Sequence, residues 1–238
     1  MPTFTTDLAA MVNHEGFAVA SAVVSNELLE HLKALCLQAP EQSQAKRNGK
    51  SLYGVRQLLS ALPPLRDIVD KPPFIDLARS VIGASARAVK GIYFDKTPSA
   101  NWLVPWHQDV TITVRERREV AGFEPRPVQD GVVHVLPPVT VTEQLLTLRI
   151  HLDDALADHG ALRVLPQSHL AGRLEPSEIR QWIDRVPEVP VAVRAGDVML
   201  MRPLLLHASS PCLAPGHRRV VHIEYAADEL PGGLEWAG

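Results

Sequence analysis

The chain has few cysteines, few aromatic residues and no long apolar run, and each shortage narrows the class of protein. Its two cysteines, Cys36 and Cys212, form no pair motif, which argues against the disulfide framework of small secreted domains. We interpret both as free thiols in a reducing cytoplasm. No segment approaches the roughly 18 consecutive apolar residues of a membrane span. The first residues also lack the basic and then apolar pattern of a secretory signal.

The chain also lacks a large excess of charge of either sign. It has 24 Lys and Arg residues and 27 Asp and Glu residues, for a formal net charge of -3. The composition therefore points away from nucleic acid and membranes as partners. It leaves the oligomeric state open. Hydrophobic residues make up 46% of the chain, an ordinary share for a globular protein. One β-sandwich or β-barrel domain commonly takes roughly 200–250 residues, so we predict a single domain over residues 1–238.

The hydrophobic period changes near residue 86 from that of helices to that of strands. Before this point, Ser25 precedes apolar residues at helical spacing, and a second helix is expected over residues 73–82. We therefore predict an α+β, mainly β protein, with a mainly helical part over residues 1–85 and a sandwich or barrel core over residues 86–228. A helix over residues 176–186 interrupts the core. The expected short strands, mostly separated by Pro or Gly, lie at residues 88–94, 102–107, 144–152, 161–165, 189–194, 197–201, 204–208 and 218–225.

His107 and Asp109 are the most informative pair in the chain. Two residues apart on a strand, their side chains point to the same face. A further imidazole from His207 would complete two histidines and one carboxylate on one side of a metal, the facial arrangement of non-heme Fe(II) oxygenases. Arg218, eleven residues later, offers the planar fork that grips a carboxylate such as that of 2-oxoglutarate. Arg219 alternates to the other face, and the reverse assignment of the two arginines stays open.

A His-x-Asp pair is weak evidence alone, and the chain contains a second one at His151 and Asp153. We favour His107 because it lies beside Trp102 and Trp106 near a turn, as a site at a strand end would. The second pair leads into a polar segment typical of a strand exit. We therefore interpret His151 as a wall or core residue.

At this point the chain resembles the phytanoyl-CoA dioxygenase family of Fe(II)/2-oxoglutarate oxygenases. One departure is Gln167, where the family usually has glycine in a Pro-Gly-Ser-His segment. The resemblance covers residues 92–225 and rests on motifs in the right order, at residues 106–109, 160–169, 196–198, 206–210 and 217–219.

The resemblance implies a double-stranded β-helix, or jelly roll, with the N-terminal helices packed outside. It implies Fe(II), 2-oxoglutarate and O2 as cofactor and cosubstrates. It assigns the iron ligands to His107, Asp109 and His207. The residues that it assigns to the cosubstrate are Arg218 on the distal carboxylate, Ser209 beside it, and Ile92 with Leu146 or Thr147 along the pocket wall.

The implied function is a dioxygenase that hydroxylates an unidentified small organic molecule and releases succinate and CO2. Related halogenases carry a small residue in place of the carboxylate, so Asp109 favours hydroxylation or desaturation over halogenation. The alternatives are a cupin-like binding protein that has lost catalysis and a zinc hydrolase. The arginine-rich residues 115–127 could form a cationic lid over an acidic substrate. We favour a solvated loop, because acidic residues within the segment balance its arginines.

Overall fold

The computed structural model describes residues 4–39, 45–48, 51–98, 100–129, 131–213 and 216–238. Both helices expected in the first third are confirmed. The longer one begins after Ser25, whose hydroxyl accepts the Leu28 N–H at 3.2 Å, and the other ends at Gly83, where φ is +98°. The helices of this part are α1 (Phe4–Glu15), α2 (Asn26–Gln38), α3 (Leu58–Ala61), α4 (Pro63–Val69) and α5 (Phe74–Ile82). None of the helices in the described ranges is long and apolar enough to span a bilayer.

Short strands make up most of the remaining regular structure. Two helices lie among them, α6 (Val139–Glu143) and α7 (Pro176–Arg185), the second of which confirms the helix expected over residues 176–186. The strands are β1 (Phe17–Ala20), β2 (Ala45–Asn48), β3 (Ser51–Val55), β4 (Arg87–Lys96), β5 (Val104–His107), β6 (Ile112–Val114), β7 (Glu124–Pro125), β8 (Val133–Leu136), β9 (Leu146–His151), β10 (Leu162–Val164), β11 (Val189–Val191), β12 (Val198–Met201), β13 (His207–Ser209) and β14 (Arg218–Ala226).

The strands form antiparallel sheets with the order β1-β12-β9-β14-β4-β3-β2, β11-β10-β13-β5 and β6-β8-β7. This arrangement is a jelly roll, and the predicted α+β, mainly β class is confirmed. The first third departs from the expectation that it only packs outside, because β1, β2 and β3 extend the large sheet. Phe17 of β1 pairs with Met201 of β12, so this short strand finds its partner far along the chain.

Alternation along β9 and β14 separates an apolar layer from a polar interior. On β9, Leu148 joins the core beneath the helices, and Arg149 is buried on the opposite side. On β14, Tyr225 belongs to the same apolar layer, and its hydroxyl donates to the Val69 carbonyl at 2.8 Å. Full burial of one such apolar side chain contributes roughly 1.5–3 kcal/mol. The apolar layer thus holds the sheet against the helices and leaves the inner face free for polar groups.

The segment over residues 115–127 is mostly irregular, as expected. The two residues of β7 are its only strand residues. Three of its four arginines have acidic partners: Arg115 with Glu235, Arg118 with Glu116, and Arg126 with Glu124. These pairs are exposed, so each contributes little. They agree with the interpretation of a solvated loop.

Candidate metal centre

Three potential metal ligands converge where two neighbouring strands meet. β5 ends at His107, β13 begins at His207, and the two residues pair directly. Asp109 follows β5, so it lies past the strand end rather than on the strand as the sequence suggested. Its carboxylate oxygens are each 3.7 Å from one histidine Nε2, and the three ligand atoms lie within 4.8 Å of one another. One ion at about 2 Å from each ligand atom fits this spacing after small side-chain shifts.

Backbone carbonyls orient both imidazoles. The Nδ1 atom of His107 lies 2.8 Å from the Pro105 carbonyl, and that of His207 lies 2.8 Å from the Leu205 carbonyl. A carbonyl oxygen only accepts, so each Nδ1 must carry the hydrogen. In the neutral tautomer of each ring, Nε2 then carries the lone pair, and this atom is turned toward Asp109, as a metal ligand requires.

Gln108 holds the short link between the first two ligands. Its side-chain amide donates to the carbonyls of Gly172 at 2.8 Å and Leu204 at 2.7 Å, and its oxygen accepts the Leu174 N–H at 2.8 Å. The Asp109 N–H donates to the Pro203 carbonyl at 2.9 Å. These bonds fix the link against the turn that leads into β13.

The electrostatics favour the protonation states that bind a metal. Burial raises the pKa of the Asp109 carboxyl, but electrostatic interactions with His207, His222, His107 and Lys90 outweigh it and hold the pKa below its ordinary value. Burial lowers the pKa of His207 to about 4, with Asp109 opposing the shift. At neutral pH the carboxylate is ionised and His207 is neutral, as ligation requires.

A cavity of about 250 Å³ adjoins the three ligands and is lined by β4, β9, β13 and β14. Several buried donors on its inner wall have no hydrogen-bond partner among the described residues, including Nε of Arg218 and Nε of Arg149. Arg218 uses one Nη atom on the Gly160 carbonyl at 3.1 Å. An unsatisfied buried donor costs about 1–3 kcal/mol. The wall therefore fits a carboxylate-bearing ligand that accepts these bonds.

Some of the residues assigned to the cosubstrate line the cavity, and others do not. Arg218, Ser209 and Ile92 line the cavity. Thr147 is fully buried on the polar side of β9, and its hydroxyl has no partner within the described part of the chain, but it does not line the cavity. Leu146 lies in the apolar layer on the opposite side. Its assignment to the pocket wall is therefore corrected, because adjacent residues of a strand face opposite ways.

One contact involves both the second arginine and the carboxylate of the second His-x-Asp pair. Arg219 lies outside the cavity and binds Asp153 through Nε and Nη2, both at 2.7 Å, while its N–H donates to the same carboxylate at 2.9 Å. The Asp153 carboxylate is thereby used in a structural ion pair. His151 is buried beside the polar interior, as a wall or core residue would be.

The sequence interpretation missed charged residues of the same interior. His222 lines the cavity with Glu224, and Glu224 binds Lys90 at 2.6 Å. Because side chains alternate along β14, His222 and Glu224 lie on the same face as Arg218, and this even spacing could have identified them from the sequence. Arg149 also lines the cavity, and it donates to Nδ1 of His222 at 3.1 Å.

A jelly roll with two histidines and one aspartate around one point, next to a buried arginine, is the architecture of non-heme iron oxygenases with a facial triad. The chain belongs to the phytanoyl-CoA dioxygenase family, whose model matches residues 12–220. No curated protein matches the sequence significantly.

Solved structures support the same fold. AviO1 from Streptomyces viridochromogenes Tue57 is 24% identical, with 98% of this chain and 97% of that chain covered and a TM-score of 0.68. The carbocyclase SnoK from nogalamycin biosynthesis, described as non-heme and alpha-ketoglutarate-dependent, is 20% identical, with 94% and 86% covered and a TM-score of 0.71. EctD from S. alaskensis, solved with 2-oxoglutarate and 5-hydroxyectoine, is 17% identical, with 95% and 78% covered and a TM-score of 0.72.

Proposed function

We propose that this protein is an Fe(II)- and 2-oxoglutarate-dependent dioxygenase that hydroxylates a small organic molecule and releases succinate and CO2. The observation that carries the proposal is the convergence of His107, Asp109 and His207 on one cavity whose inner wall holds Arg218. Membership of the phytanoyl-CoA dioxygenase family supports it. The Asp109 carboxylate favours hydroxylation, because it occupies the position that a halide takes in halogenases.

In this proposal each residue has a separate task. His107, Asp109 and His207 hold Fe(II), and bound iron with 2-oxoglutarate and O2 supplies the oxidising chemistry. Arg218 turns its unsatisfied Nε and remaining N–H groups toward the distal carboxylate of 2-oxoglutarate. Ser209, two residues after His207, adds a hydroxyl on the same wall. The buried position of Arg218 and Ser209 on the inner wall would keep bulk water from the bound carboxylate.

We propose that the substrate reaches the metal through a second, larger space of about 480 Å³ that also borders Asp109. This outer cavity shares Ile92, Phe94 and Trp102 with the inner one. Its walls combine these apolar side chains with polar groups, as small-molecule sites commonly do. The relatives described as a carbocyclase, an epimerase and a protein with bound 5-hydroxyectoine differ in what they act on or bind. The substrate of this chain therefore has to come from experiment.

We further propose that residues 1–238 act as one domain in the cytoplasm. The single domain is supported by β1, β2 and β3, which build the first third of the chain into the large sheet. The cytoplasmic location is supported by two buried free cysteines, Cys36 and Cys212.

The test is succinate formation in a screen of candidate substrates. We expect succinate only when Fe(II), 2-oxoglutarate and O2 are all present, and no succinate from the Asp109→Ala variant. Asp153→Ala is the matched control, because it removes the carboxylate of the other His-x-Asp pair and should retain turnover. Full activity of Asp109→Ala would show that the ligand is misassigned. Hydrolysis supported by Zn(II) without 2-oxoglutarate would favour the hydrolase alternative instead.

A further inference from the structure

Lys96, the last residue of β4, is fully buried at the inner end of the polar interior. It pairs directly with Arg218 on the neighbouring antiparallel strand, so both side chains project to the same face. The charged side chains that act most strongly on its ammonium are Arg218 and Arg149, which are also cationic. A buried lysine beside two buried arginines is costly unless an anion joins them.

The ammonium of Lys96 has defined contacts. It donates to the Ser209 hydroxyl at 2.9 Å and to the Ser210 carbonyl at 2.8 Å, and it lies 5.5 Å from the centre of the Trp102 ring. An ammonium has donors and no acceptor, so the Ser209 oxygen must accept. The Ser209 hydrogen is then free to donate to another group, and Ser209 lines the cavity.

The carboxylates of the cavity wall are engaged with cations other than Lys96, and Asp109 acts as a countercharge to Arg149. Asp109 belongs to the metal centre, and Glu224 binds Lys90 at 2.6 Å. Burial and the neighbouring arginines lower the pKa of Lys96 to about 7. An anion bound against Arg218 and Ser209 would reverse that shift, because an opposite charge favours the protonated amine.

We propose that Lys96 is a positioning residue for the distal carboxylate of the 2-oxo acid cosubstrate. It holds Ser209 as a donor toward this carboxylate and adds a second positive charge behind Arg218. The inference rests on the proposed function and deepens it. Lys96 thereby selects a dicarboxylic 2-oxo acid over one of equal length that lacks the distal carboxylate.

The experiment measures binding rather than turnover. Fe(II)-loaded protein is titrated under anaerobic conditions with 2-oxoglutarate and with 2-oxovalerate, which has the same carbon chain without the distal carboxylate. We expect Lys96→Met to weaken 2-oxoglutarate binding by about 10-fold or more, as for lost hydrogen bonds to a charged group. Its affinity for 2-oxovalerate should equal that of the wild type.

The matched control is Asn101→Ala. Asn101 bonds the Cys212 backbone at 2.6 and 2.7 Å and so steadies the same segment after β13 without carrying charge. Equal weakening of 2-oxoglutarate binding by this control and by Lys96→Met would overturn the inference, since it would show a structural effect. Equal weakening of both ligands by Lys96→Met would overturn it as well.

A second variant keeps the inference testable if Lys96→Met does not fold. Ser209→Ala leaves Lys96 in place, and it should also weaken 2-oxoglutarate binding while sparing 2-oxovalerate. Unchanged 2-oxoglutarate binding in either variant would overturn the role of Lys96. If wild-type protein fails to bind 2-oxoglutarate, the proposed function fails with it. If the wild type binds it and Arg218→Met does not, while Lys96→Met matches the wild type, the inference about Lys96 fails alone.

Discussion

Replacing Gln108 by leucine should damage both the fold and the metal centre. The side chain is buried, and its three hydrogen bonds of 2.7–2.8 Å end on the backbone at Gly172, Leu174 and Leu204. At about 1 kcal/mol each, with more for the fully buried Leu204 carbonyl, their loss amounts to roughly 3–4 kcal/mol. A chain of this length loses about 2 °C of Tm per kcal/mol, so we expect Tm to fall by roughly 7 °C.

The same change frees the link between His107 and Asp109. Loss of groups that orient metal ligands typically lowers metal affinity by about 10- to 100-fold. Thermal unfolding and Fe(II) binding to the folded variant measure the two effects. Asp153→Ala is the control, because it also removes three hydrogen bonds, here to Arg219, on the far side of the sheet. We expect that control to lower Tm without changing Fe(II) affinity. Wild-type Fe(II) affinity in Gln108→Leu would refute the positioning role of Gln108.

Three further predictions concern the turns and the interior. Gln167 has φ of +65°, a left-handed conformation that suits the glycine usual in the family. Gln167→Gly should therefore raise the free energy of unfolding by roughly 0.5 kcal/mol, since relief of strain exceeds the entropy of the freer unfolded chain; a clear loss in denaturant unfolding would contradict this. Gly160 has φ of +67°, and an added Cβ would lie 2.7 Å from the Ser210 carbonyl. Gly160→Ala should lower the free energy of unfolding by about 2 kcal/mol. It should also weaken 2-oxoglutarate binding, because the Gly160 carbonyl accepts a hydrogen bond from Arg218. Unchanged Tm and unchanged affinity would contradict this prediction. The affinity for 2-oxoglutarate should fall as pH rises above about 7, because Lys96 of the free protein then loses its proton. If Lys96→Met showed the same pH profile as the wild type, Lys96 would not be the cause.

Short-range patterns predicted much of the candidate site. His107 and Asp109 are two residues apart, and they lie close together although Asp109 follows the end of β5. Alternation along β14 also separated Arg218 from Arg219, and the two side chains do lie on opposite sides of the sheet. Such patterns depend on a few neighbouring residues and hold whatever the rest of the chain does.

Features that depend on distant partners were not predictable in this way. Lys96 ends a strand in a polar stretch that suggests solvent, but it is fully buried and pairs with Arg218 across the sheet. β1 has four residues, and its partner β12 lies about three quarters of the chain length further along the sequence. The family resemblance assigned Leu146 to the cavity wall, but this residue faces the apolar layer. A shift of one residue along a strand exchanges its two faces, which accounts for the error. Register between distant strands decides each of these cases.

Anaerobic binding of Fe(II) followed by 2-oxoglutarate tests the central claim most directly. Chelation of Fe(II) by a 2-oxo acid gives a visible charge-transfer absorption, which reports the metal and the cosubstrate in one site. We predict this absorption for the wild type and for Asp153→Ala, and its loss in Asp109→Ala and in His207→Ala. An absorption that persists without Asp109, or that never develops in the wild type with both ligands present, would contradict the account.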